Sequence, residues 1–321
     1  MKTYIHQQFY NTLLSFKHIN SILIAISGGQ DSVCLIKLIE DFFNIYNNNL
    51  IQKVEYIYID HQWKKDSKYQ IQHLINHLNE KYHNLSIYQI KKVAFTELEA
   101  RHLRYQIIIN HAKKHAFPTI MTAHTNTDKI ETFFQKLIRG TSIDGATSLN
   151  AHRIISKDLQ IIRPMIRITR MDISWFCRKF LLPTWSDKTN YQYNINRNRI
   201  RYELIPYLKQ YYMLNVENNI NHFIYSSSLD NDYIKQNTIK LYILSRHSLN
   251  IAIHYRLIQH QHLAIQTRAL QIFFYHNFNY ILNKRNLHKL LDIINNNTEN
   301  LYIIYWHNLT INICNTWIYI T

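Results

Sequence analysis

The segment Ile22-Leu23-Ile24-Ala25-Ile26 runs into Ser27-Gly28-Gly29-Gln30-Asp31-Ser32 and then into Val33-Cys34-Leu35-Ile36-Lys37-Leu38-Ile39. No other part of the chain constrains the fold as much. An apolar run, a glycine turn and an amphipathic stretch in that order predict a buried strand, a tight turn and a helix. Glycines let the backbone turn sharply and approach a ligand with no Cβ in the way. The helix start aims unpaired N–H groups and a positive dipole end into the turn, a setting that suits phosphate. Only 4 of the 321 residues are glycine, so two adjacent glycines are unlike the rest of the chain.

The familiar nucleotide loops do not fit. A Walker A loop needs a lysine after its last glycine, and none follows here at that spacing; the dinucleotide fingerprint G-x-G-x-x-G is also absent. What remains, S-G-G-x-D-S, resembles the PP-loop of the ATP pyrophosphatases, which cleave ATP to AMP and pyrophosphate. A bare Asp31 would repel phosphates, so the aspartate makes sense there with Mg2+ between them. The plain alternative is a Gly-Gly turn with Ser32 as a helix N-cap.

With Lys and Arg outnumbering Asp and Glu 37 to 21, the formal net charge is +16. That excess makes a polyanion the expected partner, through counterion release on nucleic acid. The 24 Tyr and 14 Phe include candidates for base stacking, though most belong to a core. Cys34, Cys177 and Cys314 are isolated, which supports neither a zinc ribbon nor a disulfide framework and fits a reducing compartment. The histidine pairs His73/His77 and His111/His115 read as solvated helix faces rather than metal sites. No signal peptide or membrane span is visible, so no membrane partner is expected. Abundant Ile, Asn and Tyr with scarce Gly and Pro follow AT-rich codons, which points to a plastid or a reduced bacterium. The chloroplast stroma is the expected location, with the bacterial cytoplasm as the alternative.

Further along, strand patterns over Val54–Ile59, Leu85–Ile90 and Pro118–Ala123 alternate with helical patterns near Lys68–Tyr82 and Glu97–His115. Strand–helix alternation predicts an α/β fold with a doubly wound parallel sheet, and ligands collect at the carboxyl ends of its strands. Three polar clusters stand at such ends: Ser27–Ser32, Asp60-His61 and His124–Asp128. From 149 to 196 the pattern is irregular and basic. Arg197–Tyr212 reads as a helix broken or kinked at Pro206. Beyond about residue 215 the sequence is Asn-rich and helical and closes on an alternating stretch, Tyr302–Ile320, that suggests a hairpin. The expected division is a catalytic domain over 1–215 and a smaller, mainly helical domain over 216–321.

Further motifs follow in order: Asp60-His61 with Ser67, Glu99-Ala100-Arg101-His102-Leu103-Arg104-Tyr105, Thr122-Ala123-His124 through Asp128 to Glu131-Thr132, Arg139-Gly140 with Gly145, Asp187-Lys188-Thr189-Asn190, and Arg197-Asn198-Arg199-Ile200-Arg201 with Pro206. This ordered set resembles the tRNA(Ile)-lysidine synthetases over roughly residues 20–210. The resemblance implies ATP-dependent joining of L-lysine to C2 of the wobble cytidine in a CAU-anticodon isoleucine tRNA, through an adenylated base. The modified tRNA then reads AUA as isoleucine.

The resemblance also assigns roles, a tRNA-binding one for the domain over 216–321 among them. Ser27, Gly28, Gly29, Gln30, Asp31 and Ser32 would hold ATP, with Asp31 on Mg2+. Asp128 and Glu131, at i and i+3 on a helix start, share a face; they would bind the lysine ammonium or take its proton. His124 would touch phosphate or pass a proton. Arg139, Arg163, Arg197, Arg199 and Arg201, with Arg167 and Arg170 nearby, would face the tRNA backbone and ATP, as Arg suits phosphate. One departure stands out: the family's motif has two adjacent aspartates, whereas this chain has Thr127-Asp128, and Thr125 follows His124. The rivals are another PP-loop tRNA enzyme, such as a thiolase, and a tRNA-binding module whose site has decayed.

Overall fold

The computed structural model describes residues 2–16, 19–46, 51–62, 67–79, 84–90, 96–185, 196–296, 302–306, 309–314 and 316–320. The Asp187–Asn190 motif lies outside the described residues, and of Ser67 only the backbone is described. By internal contacts the chain divides into two compact units, Met1–Asn221 and His222–Thr321.

The first unit opens with α1 (Tyr4–Leu14), β1 (Ser21–Ile26), α2 (Gln30–Tyr46), β2 (Lys53–Asp60), α3 (Ser67–Asn79), β3 (Leu85–Gln89), α4 (Glu97–Lys114), β4 (Thr119–Thr122) and α5 (Asn126–Ile138). It continues with α6 (Ile143–Ala146), β5 (His152–Ser156), β6 (Leu159–Ile162), α7 (Arg170–Lys179), α8 (Asn196–Arg199), a π-turn over Ile200–Leu204, and α9 (Ile205–Tyr211). The six strands form one sheet in the order β3-β2-β1-β4-β6-β5. Only β5 runs antiparallel, against β6.

Both faces of this sheet are covered, which is why β1 is apolar at successive positions rather than alternating. Ile22 and Ile24 pack on one side with Phe9, Leu35 and Phe176. Leu23 packs on the other side with Ile57, Ile108 and Phe117. Chain order reverses beside β1: β2 pairs on one edge and β4 on the other. That switch point opens a crevice at the carboxyl ends of β1 and β4.

The structure corrects the sequence reading in two places and gives the interruption near Pro206 its local form. The irregular stretch holds a hairpin, β5–β6, and a capped helix, α7. The helix expected to kink at Pro206 does so through the π-turn just before it. Proline has no N–H to donate and its ring crowds the carbonyl four residues back, so the turn widens there. His111 is not on a solvated face. It is buried, 2.9 Å from Glu55 Oε1 and 2.8 Å from the Tyr88 hydroxyl.

The second unit is helical with a small sheet. It contains most of α10 (Val216–Ser245), then β7 (Ala252–His254), α11 (Tyr255–Gln259), α12 (Leu263–Phe278) and α13 (Lys284–Asn295). The closing stretch forms β8 (Tyr302–Trp306), β9 (Leu309–Cys314) and β10 (Trp317–Ile320), in an antiparallel sheet ordered β7-β10-β9-β8. Phe273, Phe274, Leu290, Ile294, Ile311 and Ile318 form its core. Among the described residues no helix is long and apolar enough to cross a membrane.

Candidate active site

The loop after β1 is held from below and from the side. Ser32 Oγ accepts the Ser27 N–H at 2.9 Å and lies 3.0 Å from Ser27 Oγ, so the turn closes on itself. Gln70, on α3, donates to the Ser27 carbonyl at 2.8 Å. Gly28 has φ +73°, and a Cβ there would meet Gln70 Nε2 at 2.9 Å. Gly29 has room, its nearest neighbour being Ser27 Oγ at 3.7 Å. Gly28→Ala is therefore expected to cost about 1–2 kcal/mol from the left-handed backbone alone, whereas Gly29→Ala leaves the empty loop intact. Urea denaturation of the two variants would separate them, and equal midpoints would refute the difference.

The N–H groups of Gln30 and Asp31 open α2 and have no acceptor within the helix. The Gln30 side chain turns away from the turn and pairs with Ser174 on α7 at 3.0 Å. Asp31 faces the crevice. Its Oδ2 accepts Arg170 Nη2 at 3.3 Å, and its Oδ1 is buried with no hydrogen-bond partner among the described residues. Burial, opposed by Arg170 and reinforced by Asp128, raises its pKa to about 6.

Across the crevice, after β4, Thr125 caps α5. Its hydroxyl accepts the Asp128 N–H, while Asp128 Oδ2 accepts the Thr125 N–H at 2.8 Å. Asp128 thus completes a capping box with one oxygen. Its other oxygen accepts Arg197 Nη2 at 2.6 Å. Burial pushes the Asp128 carboxyl up, but Arg197 above all outweighs it and holds the pKa below the usual range. Glu131 is fully buried. It accepts Arg197 Nε at 2.6 Å and both Arg201 Nε at 2.5 Å and Nη2 at 2.9 Å. Two carboxylates and two guanidiniums so form a charge-balanced cluster with the fork geometry that Arg favours.

His124 Nδ1 lies 2.8 Å from Thr122 Oγ1. Burial first, with Arg163, Arg101 and Arg197 adding to it against Asp128, lowers the ring's pKa to about 3. The imidazole is therefore neutral at physiological pH and has no spare proton to give as an acid. Thr127, where the family has an aspartate, accepts the Arg170 N–H at 3.3 Å. That bond ties α5 to the start of α7, from which the Arg170 side chain reaches Asp31. The position links the two halves of the crevice instead of adding a carboxylate.

The remaining predicted residues fall in different places. Arg163 is 3% exposed and donates to the Asn150 carbonyl at 2.7 Å, inside the fold. Arg139 and Arg199 are exposed and line a separate groove. Asp60 is buried at the end of β2, where it accepts the Gln62 N–H at 2.9 Å. Sequence reasoning missed Gln70, which no motif marks. Asp128 as a cap at a helix start is the plain alternative to its chemical role; Thr125 was not named as its partner, although the Thr-x-x-acid spacing is a local signal.

A phosphate-sized glycine turn with no Walker lysine, at the switch point of a mostly parallel sheet, defines a PP-loop ATP-utilising enzyme. Residues 1–208 match the PP-loop domain family. The whole chain is similar to tRNA(Ile)-lysidine synthase, chloroplastic, of Gracilaria tenuistipitata var. liui, with 50% identity over 321 residues and 99% of each chain covered. The protein of the same name from Pyropia yezoensis is 36% identical over 326 residues, covering 99% of this chain and 96% of the relative. The chain belongs to the tRNA(Ile)-lysidine synthase family. Among solved structures, the U34-tRNA thiolase NcsA from Methanococcus maripaludis, with its 4Fe-4S cluster, aligns with a TM-score of 0.56 at 11% identity, over 68% of this chain and 77% of that one. That likeness concerns the fold alone.

Proposed function

We propose that this protein joins L-lysine to C2 of the wobble cytidine of a CAU-anticodon isoleucine tRNA, with ATP as the activating substrate. The observation that carries the reading is the pairing, at one crevice, of a phosphate turn with a buried carboxylate–arginine centre, in a chain 50% identical over its length to a plastid synthase. The base C2 oxygen attacks the α-phosphorus of ATP and pyrophosphate leaves. The ε-amine of lysine, once deprotonated, attacks C2, and AMP departs with that oxygen.

The turn from Ser27 to Ser32 and the open end of α2 would align the phosphates, chiefly by positioning and electrostatics. The buried, unpartnered Oδ1 of Asp31 is a hard anionic oxygen, so the residues present fit Mg2+. Bound there, Mg2+ would neutralise phosphate charge. Asp128 is the carboxylate better placed for the lysine amine, because its side chain keeps some exposure and holds one guanidinium closely, whereas Glu131 is fully buried and holds two. Glu131 would instead hold Arg197 and Arg201 beside the reacting phosphate. His124, neutral, would donate or accept a single hydrogen bond. A plastid location is supported by the chloroplastic relatives and by the AT-rich residue usage.

A thiolase reading is weaker. Cys34 and Cys177 are free thiols buried in one core, and the Cys34 thiol is pushed up by its hydrogen bond with Cys177 and by burial. A sulfur-transfer nucleophile needs the opposite. Incubation with the CAU-anticodon tRNA, labelled lysine and ATP tests the proposal. Lysine should enter the tRNA with matching release of AMP, and Asp128→Asn should slow that step by about 10²–10³ while tRNA binding persists. Tight tRNA binding without lysine transfer by the wild type would favour the decayed module, and sulfur transfer the thiolase.

A further inference from the structure

A groove of about 520 Å³ lies beside the carboxylate–arginine centre, walled by the end of α5 and by α8, the π-turn and α9. Nothing in the proposed chemistry uses it. Its volume is that of a small-molecule site. Its floor and walls include Ile138, Leu204 and Tyr207, and two guanidiniums, Arg139 and Arg199, stand at it.

Its position follows from helix geometry. Gln135 and Ile138 follow Glu131 at i+4 and i+7, so they share its face of α5. The groove therefore begins about one helical turn beyond Glu131 and ends about 10 Å from it along the helix. Stacked nucleotides advance by roughly 3.4 Å each, so the near end of the groove lies within one or two nucleotide steps of the cluster.

Its chemistry fits an unpaired nucleotide. Tyr207 is 52% exposed, and its ring centroid lies 4.8 Å from that of Tyr211, itself 65% exposed. Together they offer an aromatic platform continuous with the apolar wall. Such platforms hold RNA bases irrespective of sequence, with Arg supplying the phosphate contact. Arg139 is exposed, and among the described residues Arg199 pairs with the exposed Glu203 at 3.0 Å. An exposed ion pair of that kind is weak and yields readily to a phosphate.

We propose that this groove takes an unpaired anticodon-loop nucleotide flanking the modified cytidine, with its base on Tyr207 and its phosphate between Arg139 and Arg199. The proposal rests on the reading of tRNA as substrate and names the part of it that this face grips. Holding a neighbour splayed out would keep the target base out of its stack and in the crevice.

The test is a titration of the full chain with a CAU anticodon stem–loop RNA carrying 2-aminopurine beside the cytidine, read by fluorescence. Tyr207→Ala should weaken binding about tenfold, whereas Tyr207→Phe, which keeps the ring, stays within about twofold. Arg139→Gln should lower the slope of log K against log salt by about one. These positions are exposed, so thermal melts should match the wild type. Wild-type-like binding by folded Tyr207→Ala would overturn the proposal, and so would a wild type that does not bind this RNA. Unchanged RNA binding with loss of a concentration-dependent dimer in Tyr207→Ala would assign the groove to a second copy of the chain instead. Lysine transfer is scored separately, so failure of the groove and failure of the proposed reaction give different results.

Discussion

Replacing Asp31 by asparagine is expected to abolish AMP and pyrophosphate formation, to leave tRNA binding within about twofold, and to make the unliganded protein more stable at neutral pH. The three outcomes share one cause. Asp31 is a carboxylate that the fold buries without satisfying: one oxygen meets Arg170 at 3.3 Å, and the other has no hydrogen-bond partner among the described residues. Burial raises its pKa to about 6 from an unfolded value near 3.8. Between those values the folded protein holds the proton more tightly than the unfolded chain does. Stability attributable to this group therefore falls as pH rises through that window, and the full penalty, about 2–3 kcal/mol, is present above it.

Asparagine keeps an acceptor oxygen for Arg170 and removes the charge, so the variant should lose that pH-dependent decline. Urea titrations from pH 4 to pH 7 would measure it. Such an exchange of stability for function is common where a site must be ready for a ligand it does not yet hold. Undiminished AMP formation in the variant would remove Asp31 from the metal-binding role. An unaltered pH profile of stability would remove the electrostatic account.

Glu131→Gln should produce the largest loss of stability, about 3–5 kcal/mol, because it leaves buried arginine charge uncompensated. Glu131 is fully buried and takes Arg197 and Arg201 through three hydrogen bonds. The amide can accept at one oxygen only and turns an NH2 toward the second guanidinium. Arg197, 23% exposed, can swing toward solvent, but Arg201, 11% exposed, is held in the fold. Replacing Glu131 and Arg201 together by apolar residues of similar size should recover most of the stability and none of the activity, since a buried ion pair contributes little net energy against a packed apolar pair. Chemical denaturation and the lysine-transfer assay read the two properties independently. A loss below about 1 kcal/mol in Glu131→Gln would show that the cluster is solvated like a surface pair.

The strand, the glycine turn and the helix from Ile22 to Ile39 were legible because each is a local pattern: an apolar run, a backbone freed of Cβ, and a periodic face. The same holds for the alternation that implied a parallel sheet and for the polar clusters at its strand ends. The hairpin β5–β6 was not legible. Its strands are short, and His152, Arg153 and Ile154 are exposed, so no apolar periodicity marks them. His111 misled for a related reason, while His115 is exposed as its spacing suggested. Helical spacing says which residues share a face but not whether Glu55 and Tyr88, from other strands, will cover it.

By itself, then, the sequence determined a phosphate-binding strand–turn–helix, the class of sheet around it, the order of the motifs and a basic surface. Tertiary structure alone decided what those motifs do to one another. Arg197 reaches Asp128 and Glu131 across 69 and 66 positions of chain, and Arg170 reaches Asp31 across 139. No spacing rule spans such separations. The protonation of a buried group depends on which charges the fold brings beside it, so the raised carboxyl of Asp31, the lowered one of Asp128 and the neutral ring of His124 emerged only when the chain closed on itself.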